Sequence, residues 1–383
     1  MFNETNRADI KRKKVVFVIS GHDTWIVMKS LYQSAKSVHC SVVLLKYAYV
    51  DDSYYVHYRK ELESNGVEVN YADEYGVEDD CPDVLVYCFD WHTYDGVDVS
   101  VNPENARKFA GKIVMIPLDM VVYEGYGSVS DVSKRYLRKH ADMCFVNPDY
   151  YEKFKNYQDN LIMEGNPKFD YIYEKLTEKT MHVPDDWKEK IGKRKVIMWA
   201  TTHGLDDKHI TPLYTFDIWA KDIISYFRVH KEYVLLFRPT NRIFDDLILS
   251  GVCSYNECRC FERMFKSEDN FIYDDTPDYG LAYRISDALL APPNGMLLSY
   301  LPTKKPIMYT ATYRMNYSYN DKELIKNYYV LKNKTDMEEA IDEIFNHGDP
   351  LYEKRMQTLK EYVPHFDGKI GERIMQQILN RLG

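Results

Sequence analysis

A histidine beside a carboxylate in a loop can take a proton from a hydroxyl, and the first quarter of this sequence holds two such pairs, His22-Asp23 and Asp90-His92. Asp119 follows in a third loop of the same kind. Each pair also has a plain reading: Asp23 as a helix N-cap, His92 as a surface residue. In the second half, His203 follows Trp199-Ala200-Thr201-Thr202 and precedes Gly204. A histidine at a strand terminus can donate to a developing phosphate charge or move a proton near neutral pH, or it can be structural. Arg238 stands directly after an apolar run, with Thr240 and Arg242 just beyond it. A guanidinium there can hold phosphate through two parallel hydrogen bonds, or it can be a solvated surface group. The run Pro292-Pro293-Asn294-Gly295-Met296 ends a strand and opens a helix. Glycine lets backbone approach a ligand, and N–H groups at a helix start suit a phosphate oxygen. The same residues equally spell a tight turn capped by Asn294.

These loops share one placement. Short apolar runs alternate with helical patterns: Val15–Ser20, Ser41–Leu45, Val67–Val69, Asp83–Tyr87, Lys112–Pro117, Met143–Val146 and Leu161–Met163 read as buried strands. A polar stretch over 176–194 containing Pro184 and Gly192 reads as a linker. The alternation resumes at Lys195–Trp199, Tyr233–Phe237, Phe271–Tyr273, Asp287–Leu290 and Pro306–Tyr309, and a terminal helix is expected over Ile370–Leu382. Such alternation means α/β, with open parallel sheets covered on both faces. Ligands then bind beyond the carboxyl ends of the strands. That rule selects the loops named above, together with Asp274–Asp278. The expected domains are 1–180, 181–360 and a closing segment 361–383, with the ligand cleft between two doubly wound, Rossmann-like domains.

A chain of 383 residues exceeds one hydrophobic core, which agrees with two domains. The 50 Lys and Arg against 59 Asp and Glu give a net charge of −9, which argues against a general nucleic-acid binder but leaves room for a local basic cleft that holds a phosphorylated ligand. The 34 tyrosines suit pockets for polar organic ligands as well as core and rim positions. No run is apolar enough for a membrane helix, and MFNETNRADIKRKK has no apolar core of a secretory signal, so a cytoplasmic chain is expected. Cys253, Cys258 and Cys260 lack a second ligand pair at zinc spacing, so the expectation is free thiols and no metal.

The order Ala-Thr-Thr-His-Gly (200–204), Leu-Phe-Arg-Pro-Thr (236–240), Asp-Thr-Pro-Asp (275–278), Ile-Ser-Asp-Ala-Leu-Leu-Ala-Pro (285–292) and Lys-Pro-Ile-Met-Tyr (305–309) resembles the CDP-glycerol glycerophosphotransferase family. Gly165-Asn166-Pro167-Lys168-Phe169-Asp170 is similar to the family's Gly-x-Pro-x-x-Asp segment. Asp367-Gly368-Lys369-Ile370-Gly371-Glu372 is similar to its Asp-Gly-Lys-Ala-Ser-Glu ending. The resemblance covers roughly 110–383. It implies a GT-B arrangement, with the last helix crossing back to the first domain and the nucleotide donor on the second domain without a metal or other cofactor. It places His203, Arg238, Asp278, Asp287 and Pro293-Asn294-Gly295 at that donor. Two departures stand out. The family's Arg-x-His is here Arg238-Pro239-Thr240, and its Asp-Tyr-Ser-Ser is here Pro292-Pro293-Asn294-Gly295.

The resulting expectation is a transferase that moves a glycerol-phosphate-like unit from a CDP-activated donor to a hydroxyl of a glycan or lipid-linked glycan, releasing CMP. A GT-B glycosyltransferase with a nucleotide-sugar donor and a non-catalytic nucleotide-binding partner of a polymer-assembly complex are the alternatives. The Lys11–Lys14 run would add about 1 kcal/mol per basic residue near anionic lipid, so loose peripheral membrane contact is compatible with a soluble enzyme.

Overall fold

A computed structural model describes residues 13–46, 51–89, 99–118, 136–202, 205–206, 209–210, 214–240, 243–249, 251–313 and 324–382. Asp90, His92, Asp119, His203 and Arg242 lie outside the described residues.

The described residues form two compact units. The first takes the stretches up to Leu118, from 136 to Tyr171, and from Asp367 onward. Its strands are β1 (Lys14–Ile19), β2 (His39–Leu44), β3 (Val69–Tyr71), β4 (Val84–Tyr87), β5 (Lys112–Met115), β6 (Met143–Val146) and β7 (Leu161–Met163). They form one parallel sheet in the order β3-β2-β1-β4-β5-β6-β7. The reversal of direction falls between β1 and β4, the place where a doubly wound sheet opens toward ligand. Val15 through Ile19 are fully buried, which is why β1 is an unbroken apolar run with no alternation.

The second unit runs from Ile172 to Phe366. Its main strands are β8 (Lys195–Ala200), β11 (Tyr233–Arg238), β12 (Phe271–Tyr273), β13 (Ala288–Ala291), β14 (Ile307–Thr310) and β15 (Tyr329–Leu331), in the order β12-β11-β8-β13-β14-β15, all parallel. A short antiparallel ribbon, β9 (Leu205–Asp206) with β10 (His209–Ile210), follows β8. One face of the sheet packs on an aromatic layer in which Trp199 stacks on Phe216 at 5.4 Å and Phe237 meets Phe261 and Phe265. Some tyrosines are core residues with partnered hydroxyls: Tyr283 pairs with Ser299 at 2.6 Å and Tyr300 with Ser286 at 2.9 Å.

Two details differ from the sequence-based expectation. β15, the apolar run Tyr329-Val330-Leu331, is a strand the expectation did not include. The stretch expected as a plain linker contains the helix Asp185–Ile191. Buried Trp187 anchors it, and Lys190 Nζ donates to the carbonyls of Lys266 and Phe271 at 3.0 and 2.7 Å. In the first unit, the closing helix Ile370–Asn380 packs on the opening helix His22–Ser34. Gly371 sits where a Cβ would collide with the Ser30 hydroxyl and come within 2.8 Å of the Leu31 amide, so the two backbones touch.

Candidate active site

At the carboxyl edge of the second sheet, Thr201 directly follows β8 and ties its neighbours together. Its hydroxyl accepts from the Thr240 amide at 2.9 Å, and its carbonyl accepts from Asn294 Nδ2 at 3.2 Å. The ends of β11, β8 and β13 are thus joined through one buried residue. The Thr240 hydroxyl is buried and has no hydrogen-bond partner among the described residues. A polar atom held in this way at a sheet edge is suited to an incoming ligand.

Asn294 Oδ1 accepts from the Met296 amide at 2.9 Å, so the expected turn cap is present. Pro293 is buried beneath it, and the helix Met296–Ser299 is a single turn. Gly295 has ordinary helical dihedrals, and no described atom lies within 4 Å of the place a Cβ would take. Among the described residues its outer side is open, and any side chain would project there.

Arg238 is placed differently from a free phosphate clamp. It is buried, and Nη1 meets Asp274 Oδ2 at 2.6 Å while Nη2 donates to the carbonyl of Thr276 at 2.9 Å. Asp278, in the same loop, pairs with Lys175 at 2.7 Å and accepts from the Gly280 amide at 2.7 Å. Burial works against charge on Lys175, but the Asp278 carboxylate outweighs it and holds the ammonium above its usual pKa. Asp287 stands apart from the rest of this group. It precedes β13 at the amino edge of the sheet, where it accepts from the Val196 amide at 2.9 Å and meets Lys195 at 3.0 Å.

In the first unit, β1 ends and the helix His22–Ser34 begins one turn later. Thr24 holds this turn: its hydroxyl accepts from the amides of Ser20 and Gly21 at 2.9 and 3.1 Å and donates to the Gly21 carbonyl at 2.8 Å. Thr24, not Asp23, therefore does the capping. Asp23 is exposed in the first turn, where the helix dipole favours a carboxylate. His22 is half-buried, edge-on to Tyr58 at 6.4 Å. Tyr58 stacks on Tyr54, and burial raises both hydroxyl pKa values.

The carboxyl-edge set is therefore Thr201, Thr240, Asn294, Gly295 and Met296, with Arg238 at the end of β11 and Asp278 in the loop after β12. Sequence reading overlooked the roles of Thr201, Asp274 and Thr276, although all three lie in loops the strand rule selects. Lys175 left no local signal, since its partner is about a hundred positions away. Cys253 and Cys258 share a side-chain hydrogen bond, while Cys260 stands apart from them. Cys258 is in the apolar core with its thiol pushed up to about 11 by burial, while Cys260 is exposed. Among the described residues no group of three or more His, Cys, Asp or Glu could hold a metal ion.

The family-wide sequence model described as CDP-Glycerol:Poly(glycerophosphate) glycerophosphotransferase matches residues 144–380. The chain belongs to this family. It is a CDP-glycerol glycerophosphotransferase-like enzyme, and the match takes in all of β8–β15 and the carboxyl-edge residues just described. No curated protein matches the chain. Solved structures are similar across nearly its whole length. The Staphylococcus aureus MnaA–UDP complex aligns with TM-score 0.63 at 15% identity over 97% of each chain. The Neisseria meningitidis UDP-GlcNAc 2-epimerase bound to UDP-GlcNAc gives 0.65 at 13%, over 96% of this chain and 100% of that one. The wall teichoic acid polymerase TagF gives 0.58 at 14%, over 97% and 88%. At these identities the likeness is one of fold, and that fold is GT-B-like. Among the described residues no helix is long and apolar enough to cross a membrane.

Proposed function

We propose that this family member transfers a glycerol-phosphate-like unit, or a related alcohol phosphate, from a CDP-activated donor to a hydroxyl of a glycan or lipid-linked glycan met on the cytoplasmic side, releasing CMP. The observation that carries this reading is the family match over the second unit, whose carboxyl edge gathers Thr201, Thr240, Asn294 and an open-faced Gly295. Catalysis of this kind is mostly positioning and charge stabilisation. The acceptor oxygen attacks the phosphorus bearing glycerol, its proton goes to a base, and the bond to the CMP oxygen breaks. His22, with Asp23 beside it, is the first unit's candidate for the base. His203, which follows Thr202 in the chain, and the backbone at Asn294-Gly295 are candidates for stabilising charge on CMP. Removing one such donor costs about 2.7–4 kcal/mol of barrier, so His203→Ala should turn over roughly a hundredfold more slowly in an intact fold.

The direct test is thermal stability with CDP, CMP, UDP and GDP, since a ligand that binds only the native state raises its stability. Stabilisation by CDP or CMP, followed by CMP release from CDP-glycerol with an acceptor, supports the reading. Selective stabilisation by UDP or GDP with release of a nucleoside diphosphate would move the chain to the glycosyltransferases.

A further inference from the structure

The loop after β12 has an exposed crest, Asp275–Pro277, set on a buried polar base. Arg238, at the end of β11, and Asp274, directly after β12, form that base, and both are buried. Arg238 Nη1 meets Asp274 Oδ2 at 2.6 Å and also lies 3.4 Å from Thr276 Oγ1, while Nη2 donates to the carbonyls of Thr276 at 2.9 Å and Pro277 at 3.4 Å. The other oxygen of Asp274 accepts from the Thr276 amide at 3.1 Å and its hydroxyl at 2.6 Å. Thr276 Oγ1 is also 3.0 Å from the Asp278 carbonyl. Asp278 in turn pairs with Lys175, whose side-chain stem comes to 2.5 Å from where a Cβ of Gly280 would be.

Both η nitrogens of Arg238 are committed to this loop, so no fork remains to offer a diphosphate. An ion pair serving only the core would not need the carbonyls of an exposed crest. This one fixes them, which lowers the ordering cost of any ligand that the crest meets. The geometry points to Arg238 as a positioning residue: it holds the 274–278 loop in the shape that receives the nucleotide donor and does not itself touch that donor. This rests on the reading that the donor binds at this edge.

The test separates the two ideas. Amide hydrogen exchange of the ligand-free protein is followed over 274–280 in wild type, Arg238→Lys and Asp274→Asn, beside kcat and KM for CDP-glycerol. Lysine keeps the charge but lacks the planar fork. The expected result in both variants is exchange roughly tenfold faster in this loop alone, the size of one charge-assisted hydrogen bond lost. For Arg238→Lys, KM should rise about tenfold with kcat within about threefold, as for loss of uniform binding. Unchanged loop exchange in Arg238→Lys, together with a raised KM, would overturn the proposal, because the guanidinium would then be acting on the donor directly. A wild-type protein that turns over no CDP-glycerol would count against the transferase reading, while the exchange data would still judge the clamp.

Discussion

The carboxylate of Asp170 accepts from the backbone amides of Ile370 and Gly371, at 2.9 and 2.7 Å, across 200 positions of sequence. The two segments that resemble family motifs therefore meet each other. Asp170 ends the Gly165–Asp170 segment, and Ile370 and Gly371 open the closing helix. Glu164 strengthens the clasp by meeting Arg373 at 2.5 Å and Gln377 at 2.8 Å. Both motifs are thus explained within the first unit by the anchoring of one helix.

Asp170→Ala leaves two buried amides without an acceptor. A lost helix cap together with an unpaired buried donor should lower the stability of the first unit by about 3 kcal/mol. Urea unfolding, with each unit followed separately, measures this. A variant as stable as wild type would leave the clasp without an energetic role.

The same residue gives a pH signature. Burial raises the pKa of Asp170, despite the opposing hydrogen bonds from Gly371 and Ile370. A folded value above the unfolded one means that its contribution is fully present below the unfolded value, near ~3.9, and fades as pH rises through the folded one. The melting-temperature gap between wild type and Asp170→Asn should be widest at the acid end and narrow toward neutrality. A gap that widens with pH would contradict the sign.

Lys305 moves the opposite way. Its ammonium donates to the carbonyls of Tyr283 and Arg284, both at 2.8 Å, and burial lowers its pKa to about 8. From about pH 8 up to its unfolded value the unfolded chain binds the extra proton, so this group's contribution to stability grows with pH. Lys305→Met should lack that rise when the two proteins are compared at pH 7.5 and 9.5 by chemical denaturation. Parallel stability curves would refute it.

Gly295 separates folding from binding. Its dihedrals suit any residue and no described atom lies on its outer side, so Gly295→Ala should melt within about a degree of wild type. If the donor approaches that face, KM for CDP-glycerol should rise about tenfold, equivalent to 1.4 kcal/mol. Thr240→Val makes the complementary test, removing a hydroxyl with no partner among the described residues. It should leave stability unchanged or slightly higher and weaken donor use by a similar factor.

His22→Asn tests the first unit's candidate base. Turnover should fall by about two orders of magnitude, the lower range for a lost general base, while nucleotide-induced stabilisation persists. Loss of nucleotide binding along with turnover would assign His22 a different part.

Much of this architecture can be read along the chain. Strands such as Val15–Ile19 and Tyr233–Phe237 are buried on both faces, so each must be a continuous apolar run, and such runs are visible without any partner. Strand ends then locate the carboxyl-edge loops, and that local information was enough to pick out Thr240, Asn294 and Gly295. Partnership between distant positions is another matter. Residue type lets Arg238 be a phosphate ligand or a surface group, and the family resemblance sets Asp287 beside it at the donor, yet packing commits the first to Asp274 and puts the second at the opposite edge. Lys175 meets Asp278, and Asp170 meets Gly371, only through the tertiary fold. Periodicity records what each residue does to its own segment. Which charges become buried together depends on where the chain returns to, and no spacing along it encodes that.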